Sequence, residues 1–242
     1  MGDLSLTVLG CDGSYPGPGG ACSGYLLRAG GTNVWLDAGP GTLANLQKVI
    51  TIEDIDAIVI SHQHVDHWSD LEHVAVASHY IIERPDIPLY CVTDVTDMMR
   101  IGPAAKTLTW NRIGPESRVD IGPMRFTFSR TDHPVETLAV RVDSGGRSLG
   151  YSADSGPGWG LGELGPDLDL AFCEATFLAD REGTLPHMSA RQAGESARAA
   201  GVGRLVLTHL LARTDREAAT DEGGAAFGRP VELARIGRRY EV

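Results

Sequence analysis

Between positions 62 and 67 the chain reads His62-Gln63-His64-Val65-Asp66-His67, three imidazoles and one carboxylate within six residues. Imidazole nitrogen and carboxylate oxygen are the ligands that suit zinc and related divalent ions. His62 and His64 are two apart, so on extended backbone they point to the same side and can grip one ion. Asp66 and His67 come where the chain turns, so they can face a second point close by. A lone H-x-H pair would say little. H-x-H-x-D-H, in a chain with only eight histidines, is not the pattern of solvated loop residues.

Two elements must hold this stretch. Ala57-Ile58-Val59-Ile60 before it has the length and branching of a buried strand. After it, Ser69-Asp70-Leu71-Glu72 reads as a capping box opening a helix from Asp70 to about Arg84. That helix would carry Leu71, Val74, Ser78 and Ile81 on one stripe, flanked by Ala75 and Ile82. The motif is therefore expected on a strand-to-helix loop, where functional side chains concentrate. His73 and His79 on the helix have no partner at metal spacing and read as ordinary residues.

His62-x-His64-x-Asp66-His67 in this setting resembles the signature of the metallo-β-lactamase superfamily of binuclear metallohydrolases. The resemblance implies an α/β fold, a four-layer αββα sandwich with two metal ions at one edge between the sheets. Further positions then match in order. Asp37, in Asp37-Ala38-Gly39-Pro40-Gly41-Thr42, resembles the family's D-x-G-x-G-T, whose Asp supports a ligand histidine from behind. It also suits a cap on the turn before a helix at Leu43–Val49, and both roles are expected. His133 follows the strand Arg125–Ser129. Asp154 ends a hairpin of Thr137–Val142 and Ser148–Ser152. His209 ends the strand Arg204–Thr208. Singly, each reads as a turn residue; the ordered set carries the resemblance. It implies one ion on His62, His64 and His133 and another on Asp66, His67 and His209, with Asp154 bridging them. Asp66 counts among the catalytic groups as well. Zn²⁺ is the expected metal, though such ligands also accept Mn²⁺ or Fe. Ions so held bring the pKa of water toward ~7 and supply hydroxide at neutral pH.

Two later motifs point to a branch. Cys173-Glu174-Ala175-Thr176 and His187-Met188-Ser189 resemble H-E-A-T and H-x-S/T of the ribonuclease Z-like phosphodiesterases. Cys173 replaces the usual His and reads as packing. The resemblance implies a Glu174–His187 pair in which His187 gives a proton to the leaving oxygen, an effect of roughly 10²–10⁴-fold. Ser189–Gln192 is a second capping box, for a helix to about Ala200. Bacterial tRNA-processing members carry a long arm between the third ligand and the bridging Asp. Here His133 and Asp154 are 21 positions apart and one hairpin uses them all. A small phosphodiester, such as a cyclic nucleotide, is therefore the expected substrate, by analogy with short arm-less members. An RNA 3′-processing endonuclease is the alternative. A lactonase, thioesterase or β-lactamase would not need Glu174 and His187, and a non-catalytic metal-binding protein would not need so complete a ligand set. Ser-His-Asp hydrolysis is set aside on the expectation that no G-x-S-x-G turn occurs. Gly39-x-Gly41-x-x-Ala44 mimics a dinucleotide fingerprint, but the next strand ends in Ser61-His62 rather than an acid.

Composition agrees. The chain has 242 residues, 42% of them hydrophobic, enough for one large domain over 1–242. A net charge of −11 and only two lysines, Lys48 and Lys106, argue against long nucleic acid as a partner. Cys11, Cys22, Cys91 and Cys173 show no C-x-x-C and read as free thiols in a reducing cytosol, with a Cys11–Cys22 disulfide left open. No leader-like or membrane-spanning apolar run is seen, and Met1-Gly2 lacks the Ser/Thr of a myristoylation site, so a cytoplasmic protein with no membrane partner is expected. Relatives of this branch are often dimers, and a homodimer is expected. Of the remaining segments, Leu4–Leu9 reads as a half-buried strand, and Ser23–Arg28 with Thr32–Asp37 as a hairpin. The breaker-rich loop from Gly10 to Gly20 is a candidate substrate-facing rim. Ile87–Val92 is a strand and Val95–Ile101 a short helix. Residues 102–118 are irregular, a candidate lid or pocket wall. Thr214-x-x-Glu217 caps another helix, and Val231–Ala234 and Tyr240–Val242 are short strands.

Overall fold

The computed structural model describes residues 4–242. Met1–Asp3 lie outside it, and with them the Met1-Gly2 start considered above. One sheet holds β1 (Ser5–Gly10), β2 (Gly24–Ala29), β3 (Thr32–Ala38), β4 (Ala57–Val59), β5 (Ile87–Cys91) and β6 (Leu108–Arg112) in sequence order. The other holds β7 (Arg118–Ile121), β8 (Met124–Arg130), β9 (Leu138–Ser144), β10 (Arg147–Tyr151), β11 (Leu170–Glu174), β12 (Arg204–Thr208) and β13 (Glu232–Leu233), again in order. A last strand, β14 (Arg239–Glu241), returns to pair with β1. Each sheet is an antiparallel run followed by a parallel one, the change falling at β3 and at β10. The helices are α1 (Thr42–Leu46), α2 (Val65–Trp68), α3 (Leu71–Ala77), α4 (Ala190–Ala199) and α5 (Arg216–Phe227). This is the four-layer αββα sandwich.

Strand alternation builds two cores. On β11, Leu170 and Phe172 face the inter-sheet core, while Ala171 and Cys173 face α4 and α5. On β12, Val206 points inward and Leu205 and Leu207 outward. Strands buried on both faces need apolar residues at successive positions, which is why these segments read as continuous hydrophobic runs. β1 is also buried at every residue rather than every second one, its second face carrying Ser5 and Thr7 rather than apolar side chains.

Several local expectations are corrected. Ser69-Asp70 does not open a capping box. Both residues have helical φ/ψ because α3 follows α2 almost directly, and an N-cap needs extended backbone. The Asp70 carboxylate serves α1 instead, accepting the Leu43 N–H at 2.8 Å. Asp37 does not cap that helix either; the residue that precedes α1 is Gly41, in the left-handed region. Helix α3 runs into a π turn at Ser78–Ile82. The extra residue in that turn swings Ile81 out to 79% exposure and brings Ile82 to the core. Val95–Met98 is one 3₁₀ turn. Residues 102–118 are not irregular: a 3₁₀ turn and β6 close the edge of the first sheet, with β5 between them and β4. Helix α5 is capped by Asp215, which accepts the N–H groups of Glu217 and Ala218, while the Thr214 hydroxyl donates to the Thr176 carbonyl. All four cysteines are free. Burial pushes the thiols of Cys11, Cys91 and Cys173 up to about 12, so they are inert at neutral pH. Among the described residues no helix is long and apolar enough to cross a membrane.

Register matters most for function. Leu36 is level with Val59, Tyr151 with Phe172, and Glu174 with Thr208. The carboxyl ends of β3, β4, β10, β11 and β12 therefore come out along one edge, where open α/β sheets bind ligands. Gly39 lets the chain through there: a Cβ on it would lie 2.1 Å from the Asp66 carbonyl and 2.9 Å from that of Ser23. Backbone cannot yield cheaply, so Gly39→Ala is expected to destabilise by about 1–3 kcal/mol. For a chain of this size that lowers the melting temperature by several degrees. An unchanged calorimetric melt would show that α2 can shift freely.

Candidate metal centre

The strand ends bring seven side chains together in two groups. His62, His64, His133 and Asp154 form one, and Asp66, His67, Asp154 and His209 the other, each with its ligand atoms within 4.8 Å of one another. The Asp154 carboxylate divides between them. Its Oδ2 is 3.6 Å from His62 Nε2 and 4.0 Å from His133 Nε2. Its Oδ1 is 3.2 Å from His67 Nε2 and 3.4 Å from His209 Nε2. His64 presents Nδ1, 3.1 Å from His133 Nε2. Asp66 Oδ2 is 3.3 Å from His209 Nε2 and 3.6 Å from His67 Nε2.

The donors fit two divalent ions. His62 Nε2, His67 Nε2 and Asp154 Oδ1 are buried and have no hydrogen-bond partner. Buried polar atoms are rarely left so, and a cation in each group would satisfy all three. Burial, aided by the neighbouring His67, pushes His62 well below the usual imidazole range and keeps its lone pair available. Burial opposes charge on Asp66 and Asp154, but His67 and His209 outweigh it and hold both carboxyls low. Burial also opposes charge on His67, yet Asp154, Asp37 and Asp66 around it raise its pKa well above normal. A cation taken up there therefore displaces a proton.

Behind the ligands stands a second set of contacts. Asp37 Oδ2 accepts His67 Nδ1–H at 2.7 Å, the Ser61 hydroxyl at 2.9 Å and the Tyr151 hydroxyl at 2.8 Å, and Oδ1 accepts the Ser61 N–H at 2.7 Å. The Ser61 hydroxyl also lies 3.0 Å from His62 Nδ1. The Thr131 hydroxyl donates to the Asp154 carbonyl at 2.7 Å, tying the His133 loop to the Asp154 loop. The rim loop takes part as well: the Ser14 N–H donates to Asp66 Oδ2 at 3.0 Å.

Glu174 and His187 sit against this cluster. Glu174 is fully buried, and its Oε1 is 2.9 Å from His187 Nδ1. The His187 ring stacks on His209 at 5.4 Å and meets His133 at 5.3 Å, so it spans both groups. Burial disfavours its charge, but the Glu174 carboxylate outweighs this and raises the His187 pKa to about 9. Nδ1 is engaged and Nε2 is left for another partner.

Every site residue read from the sequence lies in this one region: the seven of the two groups, Asp37 behind them, and Glu174 with His187 beside them. Ser61, Tyr151, Thr131, Thr176 and Ser14 were missed. Hydroxyls and backbone N–H groups carry no spacing signal, and only the fold brings them near. One exclusion rested on a wrong premise. Gly146-Arg147-Ser148-Leu149-Gly150 does match G-x-S-x-G. Ser148 lies inside β10, however, with its hydroxyl donating to the Asp167 carbonyl and beside the Asp169 carboxylate. No histidine is among its hydrogen-bond partners, so it is no nucleophile elbow.

A sandwich of two mixed sheets with paired His/Asp groups at one edge defines a class. The chain belongs to the metallo-β-lactamase superfamily of metallohydrolases: the family described as "Beta-lactamase superfamily domain" matches residues 32–210. The chain is 32% identical to "Probable metallo-hydrolase YhfI" of Bacillus subtilis over 245 residues, 98% of this chain and 100% of that one. The crystal structure of YhfI from Bacillus subtilis superposes with a TM-score of 0.91 at 29% identity, over 100% of both chains. "Ribonuclease Z" of Methanopyrus kandleri is 25% identical over 284 residues, 99% of this chain and 98% of that one.

Because Asp154 serves both groups, Asp154→Ala is expected to lose both ions. His64→Ala should leave one ion bound, on the Asp66/His67/His209 side. Elemental analysis of the purified proteins measures this. Two equivalents retained by Asp154→Ala would rule out the shared carboxylate.

Proposed function

We propose that the chain is a binuclear metal-dependent phosphodiesterase whose substrate is a small phosphodiester, a cyclic nucleotide or a compound of that kind. The observation that carries this reading is the position of His187. Its ring lies against both ligand groups, and Glu174 holds its Nδ1, so Nε2 is free to meet a leaving oxygen. Cleaving a phosphodiester expels an alkoxide, which needs a proton; a thioester expels a thiolate and places no such demand on a separate acid. Two divalent ions in the ligand groups would make water nucleophilic at neutral pH and offset charge on phosphoryl oxygens.

The chain's own residues do the rest. Asp37 and the Ser61 hydroxyl hold His67 and His62 in register. The Ser14 N–H fixes one Asp66 oxygen, leaving the carboxylate to orient the attacking water. Glu174 favours the protonated form of His187, which donates through Nε2 as the P–O bond breaks.

Substrate size follows from what is missing between His133 and Asp154. The β9–β10 hairpin turns at Gly145-Gly146, both with positive φ (60° and 81°), the two-residue turn that most sharply reverses a chain. Nothing projects there to hold a folded RNA, and the net charge of −11 does not attract one. The second reading, RNA 3′-end processing, is favoured by the full-length similarity to a protein named ribonuclease Z.

The test is a panel on metal-loaded protein: cyclic nucleotides, dinucleotides, bis-p-nitrophenyl phosphate, a pre-tRNA and a lactone. Cyclic nucleotides or dinucleotides should turn over, and pre-tRNA should not. His187→Ala should cost roughly 10²–10⁴-fold on an alkoxide leaving group. It should cost far less on bis-p-nitrophenyl phosphate, whose leaving group departs unprotonated. Equal losses on both would remove His187 as the acid, and cleavage of pre-tRNA alone would select the second reading.

A further inference from the structure

We propose that Thr176 is a positioning residue through which the buried Glu174 carboxylate fixes the tautomer, and so the metal affinity, of His209. The inference rests on the reading above, in which His209 is a ligand and Glu174 serves His187.

Thr176 is fully buried. Its Oγ1 lies 2.7 Å from Glu174 Oε2 and 3.1 Å from His209 Nδ1. A hydroxyl has one proton, so the direction of these bonds is decided by what else each partner does. Glu174 Oε1 accepts the Ser155 N–H at 2.7 Å and His187 Nδ1–H at 2.9 Å. Oε2 accepts the Met188 N–H at 3.2 Å. Backbone N–H groups only donate, so Glu174 is surrounded by donors and the remaining acceptor position on Oε2 faces the hydroxyl. The Thr176 proton therefore goes to Glu174. The carbonyl of His209, at 3.3 Å, is the weaker competitor. With its proton committed, Oγ1 can only accept from His209, and His209 must carry its hydrogen on Nδ1. Its Nε2 then faces Asp66 and Asp154, at 3.3 and 3.4 Å, and is the nitrogen left for an ion.

Thr176 is held where this can work. Its carbonyl accepts the Leu211 N–H at 3.2 Å and the Thr214 hydroxyl at 3.1 Å, which ties it to the loop that follows His209. A β-branched side chain on a fixed backbone has little rotamer freedom. One carboxylate thus orients two imidazoles: His187 directly, and His209 through a single hydroxyl. The other histidine of the same ligand group, His67, is fixed without an intermediary by Asp37.

The test compares wild type with Thr176→Val, Thr176→Ala and Thr176→Ser. In metal-free wild type, long-range ¹⁵N–¹H spectra of the imidazoles should show a hydrogen on His209 Nδ1, whether or not Nε2 also carries one; an Nδ1 without a hydrogen overturns the proposal without any variant. Chelator competition should show the Asp66/His67/His209 ion held about 10–100-fold more weakly in Thr176→Val and Thr176→Ala, the usual effect of removing a ligand's hydrogen-bond partner. The His62/His64/His133 ion should be unchanged, and Thr176→Ser should restore wild-type affinity to within a few-fold. Glu174→Gln should weaken the same ion, and its effect should vanish on a Thr176→Val background. Wild-type affinity in both Val and Ala variants overturns the proposal. Affinity and tautomer are read without turnover, so failure of the whole substrate panel would sink the phosphodiesterase reading and leave this result standing.

Discussion

The Asp37 carboxylate is the contact on which the centre depends. It is wholly buried, at the end of β3, and its four hydrogen bonds come from three directions. Two are from Ser61, where β4 runs into the motif. One is from His67 in α2. One is from the Tyr151 hydroxyl, which crosses from the second sheet. An isolated buried carboxylate would be severely penalised, and it is stable only when its acceptor positions are filled. The same requirement that pairs the carboxylate therefore fixes the spacing of the two sheets, the entry angle of the motif and the tautomer of a ligand. The tilted Tyr25–Tyr151 contact and the 2.6 Å bond from Tyr25 to Thr208 continue this polar seam across the inter-sheet core.

Glu174 plays the matching part in the second sheet. Both carboxylates lie at the carboxyl end of a strand, both are fully buried, and each aligns imidazoles toward the same cluster. Backbone geometry at these ends is also unusual. Asp37, Ala153 and His209 all have positive φ, at 55°, 51° and 55°. For residues with a Cβ, such conformations cost on the order of 1–3 kcal/mol each and persist only where the surroundings enforce them. Here each one ends a strand and turns a side chain, its own or the next, into the centre. At these three positions the strain serves to aim the ligands, and the closely packed sheets hold it in place.

How much of this could be read beforehand follows from the range of each interaction. The first motif was legible because its ligands are local: spacing along one loop is spacing in space. His133, Asp154 and His209 became legible only as an ordered set at strand ends, since nothing near each of them announces a ligand. The Glu174–His187 pair was readable from two short motifs, and the box at Ser189 from its own four residues. The errors fall where one residue is claimed by a distant partner. Ser69–Glu72 has the letters of a capping box, but Asp70 is drawn to α1 by a contact 27 positions away. Ile81 fits a helical stripe until a π turn shifts the register. Residues 102–118 look irregular because β6, exposed at a sheet edge, lacks the apolar run of the central strands. Thr176 stands in the second motif as a letter, but only the fold shows which partners its hydroxyl has.

The two ligand groups are not equivalent, and the difference bears on how the centre meets a substrate. Asp66 adds a carboxylate to one group, while the other shares only Asp154 and is otherwise all imidazole. Every member of the Asp66 group is buried; in the other group His64 is half-buried, while the His133 imidazole is itself enclosed. Neutral imidazoles cancel none of a divalent charge, so an ion among His62, His64 and His133 would keep more of it, and would keep it on the side nearer solvent. His133 is also the histidine whose Nδ1 lies near the Pro186 carbonyl, 3.4 Å away and next in sequence to His187. An ion on that side would thus be the less neutralised of the two, with the His187 ring at the junction of both groups. The other side, enclosed and carboxylate-rich, is anchored by Asp37 and by Glu174 through Thr176. On the function proposed above, an anionic substrate would be drawn to the less neutralised ion by charge, with His187 at the junction of the two groups.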